Sequence, residues 1–167
     1  GIVTGNNKKY ISKNKTLGEK IYSGKNILKN KISDSENYIN YTREKFQQVA
    51  PDNTYRAKEK LVYKFISKKL VFAYDNKQRL FLNSANILIP KLKNYTIKDV
   101  MTFLNSTLFQ YIYTKKFNEL KVLKGNLMEL PFPDFDRNSY PKLSNNAIFK
   151  IFNLTDDEIK YIKNEIK

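Results

Sequence analysis

The sequence predicts an α+β fold, strand-rich through its N-terminal and central part and helical toward the C terminus. Three observations predict it. Apolar residues alternate with period two around residues 61–66 and 70–82, they recur at helical spacing between 96 and 112, and a Thr-Asp-Asp-Glu run at 155–158 opens a final amphipathic stretch. Strands first and helices later is the pattern of segregated α+β architecture, not of alternating βαβ units.

Each element has its own signal. Ile2-Val3 leads into Thr4-Gly5-Asn6-Asn7, whose Gly and Asn tolerate positive φ, and Lys9-Tyr10-Ile11 is expected to return in extended form as a hairpin-like opening. Tyr38-Ile39-Asn40-Tyr41 reads as a short strand and Pro51-Asp52-Asn53 as a loop. Leu61, Tyr63 and Phe65 alternate with Val62, Lys64 and Ile66. Leu70–Tyr74 is then expected to meet Leu80–Leu82 in a hairpin across Asp75-Asn76-Lys77-Gln78, and Asn86–Ile89 supplies another strand before Pro90. Thr96 with Asp99 forms a capping-box start for a stripe of Val100, Phe103, Leu104, Leu108, Tyr111 and Ile112. Asn105-Ser106 interrupts that stripe and suits the N-cap of a second helix. Leu127–Pro133 reads as extended, and Thr155 to Glu158 caps a helix with Ile159, Ile162 and Ile166 on one face.

The 167 residues suit one domain with a buried core, given 41% hydrophobic and 14% aromatic side chains. Residues 1–133 are assigned to the main domain and 134–167 to a helical appendix packed on it. With no His and no Cys, the chain excludes Cys or Ser–His nucleophiles, zinc fingers, haem histidines and disulfides. Carboxylates, Lys, Tyr or an oxygen-held metal are what remain for chemistry. No apolar run reaches the roughly 18 residues of a membrane span, so the expected location is the cytoplasm. Beginning at Gly1 without Met, the chain reads as a piece of a longer polypeptide.

Thirty-one basic against sixteen acidic residues give a net charge of +15, which attracts polyanions. AT-rich codon drift would enrich Lys and Asn without selection, but it would spread them evenly. Residues 134–167 instead hold six basic and six acidic side chains, so residues 1–133 carry the entire excess. Gly1–Gly5 lacks the Gly-Lys-Ser/Thr ending of a nucleotide-binding P-loop, although Thr4, Asn6, Asn7, Lys8 and Lys9 suit a phosphate of a nucleic-acid backbone. The densest basic run is Arg56, Lys58, Lys60, Lys64, Lys68 and Lys69, threaded with Tyr55, Tyr63 and Phe65 and opposed only by Glu59. Lysines there suit phosphate neutralisation, with Lys64 alternatively snorkelling from a half-buried strand. Arg56 and Arg79 are the first candidates for reading bases, because a guanidinium engages guanine bidentately. Two further classes compete. Pro133-Asp134 with Glu158-Ile159-Lys160 formally fits the pattern of an Mg²⁺-dependent nuclease, and a non-specific RNA- or polyanion-binding module would share the same charge.

The order of motifs resembles a known family. Gly1-Ile2-Val3-Thr4-Gly5-Asn6-Asn7-Lys8, Gly24-Lys25-Asn26-Ile27, Glu59-Lys60-Leu61-Val62-Tyr63-Lys64, Leu82-Asn83-Ser84, Leu104-Asn105-Ser106 and Glu129-Leu130-Pro131-Phe132-Pro133 together look like the TaqI-like C-terminal specificity domain. That family is the target-recognition part of adenine-N6 DNA methyltransferases, including type IIG restriction enzymes. The resemblance implies that double-stranded DNA is the partner and that an upstream methyltransferase domain of the same polypeptide supplies catalysis. It implies no catalytic residue and no cofactor in this fragment. S-adenosylmethionine, with Mg²⁺ as a further option, belongs to the parent enzyme, since neither an Asn-Pro-Pro-Tyr tetrapeptide nor the Gly-rich cofactor loop occurs here. The motif residues then read as architectural: Gly5 for the turn, Asn105-Ser106 for the helix junction, Pro131 and Pro133 for the extended exit.

Overall fold

A five-residue strand, Lys60–Lys64, divides the molecule into a strand-built lobe and a helical lobe. The computed structural model describes residues 1–166. In chain order its elements are α1 (Asn7–Tyr10), β1 (Ile11–Ser12), β2 (Glu19–Tyr22), β3 (Ile27–Leu28), β4 (Lys31–Ile32), β5 (Tyr38–Ile39), α2 (Asp52–Tyr55), β6 (Lys60–Lys64) and β7 (Phe72–Asp75). There follow β8 (Leu80–Phe81), β9 (Ala85–Leu88), α3 (Ile97–Leu104), α4 (Thr107–Lys116), α5 (Lys124–Met128), α6 (Asn145–Ile151) and α7 (Asp156–Glu165). The α+β order expected from the sequence is the order observed.

β6 is the middle of an antiparallel sheet ordered β7-β6-β9, with Val62 opposite Ala73 on one side and Ile87 on the other. Side chains of a strand alternate between faces, so one strand serves two cores. Leu61 and Tyr63 pack with Leu70, Phe72 and the helical residues Val100, Phe103, Leu104, Phe109, Ile148 and Ile162. Val62 faces the other way, against Ala73, Ala85, Phe81, Tyr22 and Ile27. Beyond that layer a sheet ordered β1-β5-β2-β8 covers Ile2, Ile21, Ile39, Tyr55 and Leu80. Its β2–β8 pair is parallel and its other pairs are antiparallel.

The expected hairpin across residues 75–78 does not form. β7 pairs with β6 and β8 pairs with β2, in a different sheet. The cause is the Asp75 side chain, which is fully buried and accepts four hydrogen bonds: from Lys77 N (3.1 Å) and Arg79 Nη1 (2.6 Å) on Oδ1, and from Arg79 N (3.0 Å) and Lys60 Nζ (2.7 Å) on Oδ2. Those bonds, with Gln78 at φ +53°, turn the chain out of the β6 sheet. Lys60 in turn donates to the Tyr55 carbonyl at 2.6 Å.

The opening is not a hairpin either. Ile2 is fully buried beside β8 through a parallel bridge to Leu82, and Val3 bridges Gln48 antiparallel. Residues 7–10 make one helical turn capped by Asn6, and β1 pairs with β5. Pro51 begins not a loop but α2, drawn in by the buried Tyr55 ring. Residues 124–128, expected partly as extended chain, make one turn of helix before the chain straightens.

The helical signals hold. Thr96 and Asp99 satisfy each other's backbone N–H groups, Ser106 caps α4, and Thr155 with Glu158 caps α7. Asn105 does more than end a helix: its side-chain amide pairs with both backbone groups of Phe72, at 2.9 and 2.8 Å. Gln110 does the same to Leu70, at 2.8 and 3.0 Å. Side-chain amides thus occupy backbone groups along the outer side of β7 and its approach, which would otherwise be an open edge. Arg137 grips Asp99 with two hydrogen bonds and ties residues beyond 133 to the start of α3. Among the described residues no helix is long and apolar enough to cross a membrane.

Removing Asp75 strands a buried ammonium, whereas removing Lys60 leaves Asp75 with Arg79. Asp75→Asn is therefore expected to cost about 3–5 kcal/mol, and Lys60→Met less, by urea denaturation. Burial pushes the Asp75 carboxyl up, but hydrogen bonds from Lys60 and Arg79 outweigh it and hold the group below the usual carboxylate value. Its contribution is present above the unfolded value of about 3.9 and is lost as pH falls through the lower folded value. Asp75→Asn is expected to flatten that acid limb of the stability curve.

Candidate nucleic-acid interface

The turn at residues 4–9 is built before it can bind anything. Gly5 sits at φ +77°, and buried Thr4 donates its hydroxyl to Asn7 Oδ1 at 2.6 Å while accepting from Asn6 N at 3.1 Å. Asn6 Oδ1 accepts from Lys9 N at 3.1 Å. Thr4 and the Asn6 side chain are thus spent on the turn. Lys8 and Lys9 are exposed, the Lys9 ammonium lying 5.3 Å from the centre of the Tyr10 ring, and exposed Asn7 keeps its Nδ2 donor for other acceptors. The Val3–Gln48 bridge brings Gln47 and Gln48 alongside; a Cβ added to Gly5 would lie 3.4 Å from Gln47 Cβ. Both glutamines are exposed, and sequence reasoning missed them, because only a pairing 45 residues apart places them there.

The two arginines are already held. Arg56 engages Glu19 at 2.5 and 2.9 Å and the Gln78 carbonyl at 3.0 Å, using three of its five N–H groups. Arg79 is paired with Asp75 and lies 5.4 Å from the Tyr22 ring. Both guanidiniums are half-buried and share one end of β6. A carboxylate on one edge fixes the plane of the fork, and it also reduces the charge offered to a phosphate.

Lys60, placed by the sequence among the phosphate-facing cations, is a correction. It is 0% exposed, between Asp75 and the Phe81 ring, and no phosphate can reach it. The pleat explains this: Lys60 shares the Val62 face, which looks into the molecule. The remaining cluster is also divided. Lys58 is exposed near the Arg56 end, while half-buried Lys64 and exposed Lys68 and Lys69 lie past the other end of β6, about 13 Å of strand away. Lys69 donates to the Ile166 carbonyl at 3.1 Å. Exposed Lys121 joins this second group through the Ile66–Lys121 bridge, another neighbour the sequence did not announce. The structure therefore offers two basic stations in place of the one run, the Arg56–Arg79 end and the Lys64–Lys69 end, beside the residue 4–9 turn. Among the described residues, Lys8, Lys9, Lys58, Lys64, Lys68 and Lys121 have no carboxylate within ion-pair distance.

The carboxylate of the nuclease-like pattern is spent on a helix cap. Glu158 uses its carboxylate on Thr155 N and Oγ1, at 2.8 and 2.9 Å, within its own helix cap. Among the described residues no three acidic side chains gather. An apolar groove between residues 88–92 and α5 has Lys91 and Lys124 on its walls and no carboxylate in its lining.

The strand-built lobe thus bears separate lysine stations and an amide-rich turn and is joined to a helical lobe. Residues 19–132 match the TaqI-like C-terminal specificity domain, and the chain belongs to that family. Its role is accordingly DNA sequence recognition in restriction–modification. No match was found among curated proteins. Two of the motifs that carry the resemblance interlock here: Gly24 N–H donates to Ser84 Oγ at 2.9 Å, and a Cβ on Gly24 would stand 2.5 Å from the Ser84 carbonyl oxygen.

If the unpaired lysines contact phosphates, each of Lys8→Ala, Lys9→Ala and Lys68→Ala should flatten the log–log salt dependence of DNA affinity by about 0.9. Lys60→Met should leave that slope unchanged. Fluorescence anisotropy with a labelled duplex across a salt series measures both.

Proposed function

We propose that this chain holds and reads duplex DNA for an adenine-N6 methyltransferase domain located upstream in the same cytoplasmic polypeptide. The observation that carries the reading is the family match across residues 19–132. The confinement of the +15 excess to residues 1–133 supports it. Phosphate contacts fall to Lys8, Lys9, Lys58, Lys64, Lys68 and Lys69, which supply affinity without sequence information. Arg56 and Arg79 serve the reading of base edges. Their acidic partners set the planes of the two forks in advance, so less side-chain freedom is lost on binding.

In this reading the parent is a site-specific adenine methyltransferase of the type IIG class, with S-adenosylmethionine bound outside this chain. Reaching adenine N6 requires the base to leave the stack, and unstacking costs a few kcal/mol. The share of this domain is to keep the flanking duplex in register while that happens. None of its residues needs to touch the reacting atoms.

Exchanging this chain for the corresponding domain of a related adenine methyltransferase tests the reading. Mapping methylated adenines is expected to show a new target sequence at retained methylation activity. Methylation at the host's original site would contradict it.

A further inference from the structure

The surface holds an apolar groove that DNA recognition leaves unexplained. One wall is the end of β9 and the chain after it, Leu88, Ile89 and Leu92; the other is α5, with Leu127 and Met128; Val100 and Leu104 form the floor. The cavity between them is about 460 Å³. Met128 is 75% exposed, and Ile89, Leu92 and Leu123 are each more than a third exposed. Ile66 and Leu120 are exposed as well, at the backbone pairing of residues 66 and 120–121. A run of exposed apolar side chains on a chain this highly charged marks a surface that something covers.

Charge says what covers it. Residues 88–94 and 120–128 contain Lys91, Lys93, Lys121 and Lys124 and no carboxylate. Among the described residues none of these four lysines has an ion-pair partner, while Glu129, just beyond, is taken by Lys116 at 2.7 Å. Glu119 is the other flanking carboxylate. Duplex DNA would satisfy the lysines and leave the apolar floor wet. A second copy of the chain would satisfy the floor and bring four more unpaired lysines against the first four. A protein segment with an apolar stripe and carboxylates on both flanks satisfies both.

We propose that this groove docks an acidic amphipathic protein segment, its apolar side chains between α5 and residues 88–92 and its carboxylates on Lys91 and Lys124. Side chains on one face of a helix recur every three to four residues, so a single helical stripe can fill such a groove. The groove's lining contains none of the lysines assigned to DNA.

The probe is a labelled synthetic helix with leucines at i, i+4 and i+7 and glutamates flanking them, titrated against the full chain by fluorescence anisotropy. A second peptide replaces the glutamates with lysines. The glutamate peptide is expected to bind at least about tenfold tighter than the lysine peptide. Met128→Glu and, on the opposite wall, Leu92→Glu should each weaken it about tenfold, with thermal melts unchanged because both side chains are exposed. Reversal of both rim charges, Lys91→Glu with Lys124→Glu, should transfer the preference to the lysine peptide. Amide NMR shifts induced by the peptide should fall on residues 88–92 and 124–130. Absence of binding, equal binding of the two peptides, or indifference to Met128→Glu and Leu92→Glu would overturn the proposal. So would protection of the Met128 methyl by duplex DNA, or self-association of the chain abolished by Met128→Glu, each naming a different occupant.

Discussion

The carboxylate of Asp75 is the point on which the rest of the fold turns. It lies opposite Lys60 in the β6–β7 register and carries a hydrogen bond to each of its four lone-pair sites. Two of these come from the backbone that follows, and they end β7 and send the chain toward β8. The third fixes Arg79, and the fourth holds the ammonium of Lys60, which reaches on to the Tyr55 carbonyl. One side chain thereby joins the sheet of the helical lobe to the strand-built lobe. A buried charge pair of this kind contributes little net stability against an apolar substitute but penalises every arrangement that leaves one partner alone. Its effect here is on topology.

The same economy recurs across β6. Alternation of its side chains supplies Leu61 and Tyr63 to one core and Val62 to the other, and amides close the far side of the sheet. Asn105 and Gln110 face the backbone of Phe72 and Leu70 as a neighbouring strand would, so the helical lobe is bound to the sheet by hydrogen bonds as well as by apolar contact. Asn30 adds a bond from its backbone N–H to the Phe72 carbonyl at 2.9 Å, bringing the β3–β4 hairpin against the same edge. A duplex-reading surface built on this frame rests on strands and turns that are locked by backbone contacts. In the proposed function, rigid placement would let a few side chains act on DNA without first being ordered.

What could be read in the sequence was what local chemistry decides. The caps at Thr96, Ser106 and Thr155, the positive φ at Gly5, and the strands at 61–64 and 85–88 depend on neighbours within a few residues. The opening and the 75–78 turn were misread because their partners are distant: Ile2 finds Leu82, and Leu80 finds Ile21. The basic run at 56–69 was legible as composition and not as geometry. Its alternation predicts that Lys60, Val62 and Lys64 share a face, but not that Phe81 and Tyr55 lie over that face and bury Lys60. Gln48 carried no signal and Lys121 reads only as one of the cations at the end of α4, since each reaches its station through an isolated bridge to a remote residue.

In the proposed function, separate lysines supply affinity while arginines held by acids supply sequence discrimination. The most direct measurement is selection by the full chain from a pool of randomised DNA duplexes, repeated with Arg56→Ala and Arg79→Ala. The native chain is expected to enrich a defined motif, and each arginine variant to lose discrimination at particular positions while its non-specific affinity is retained. Enrichment of no motif, or the same motif from all three proteins, would contradict it.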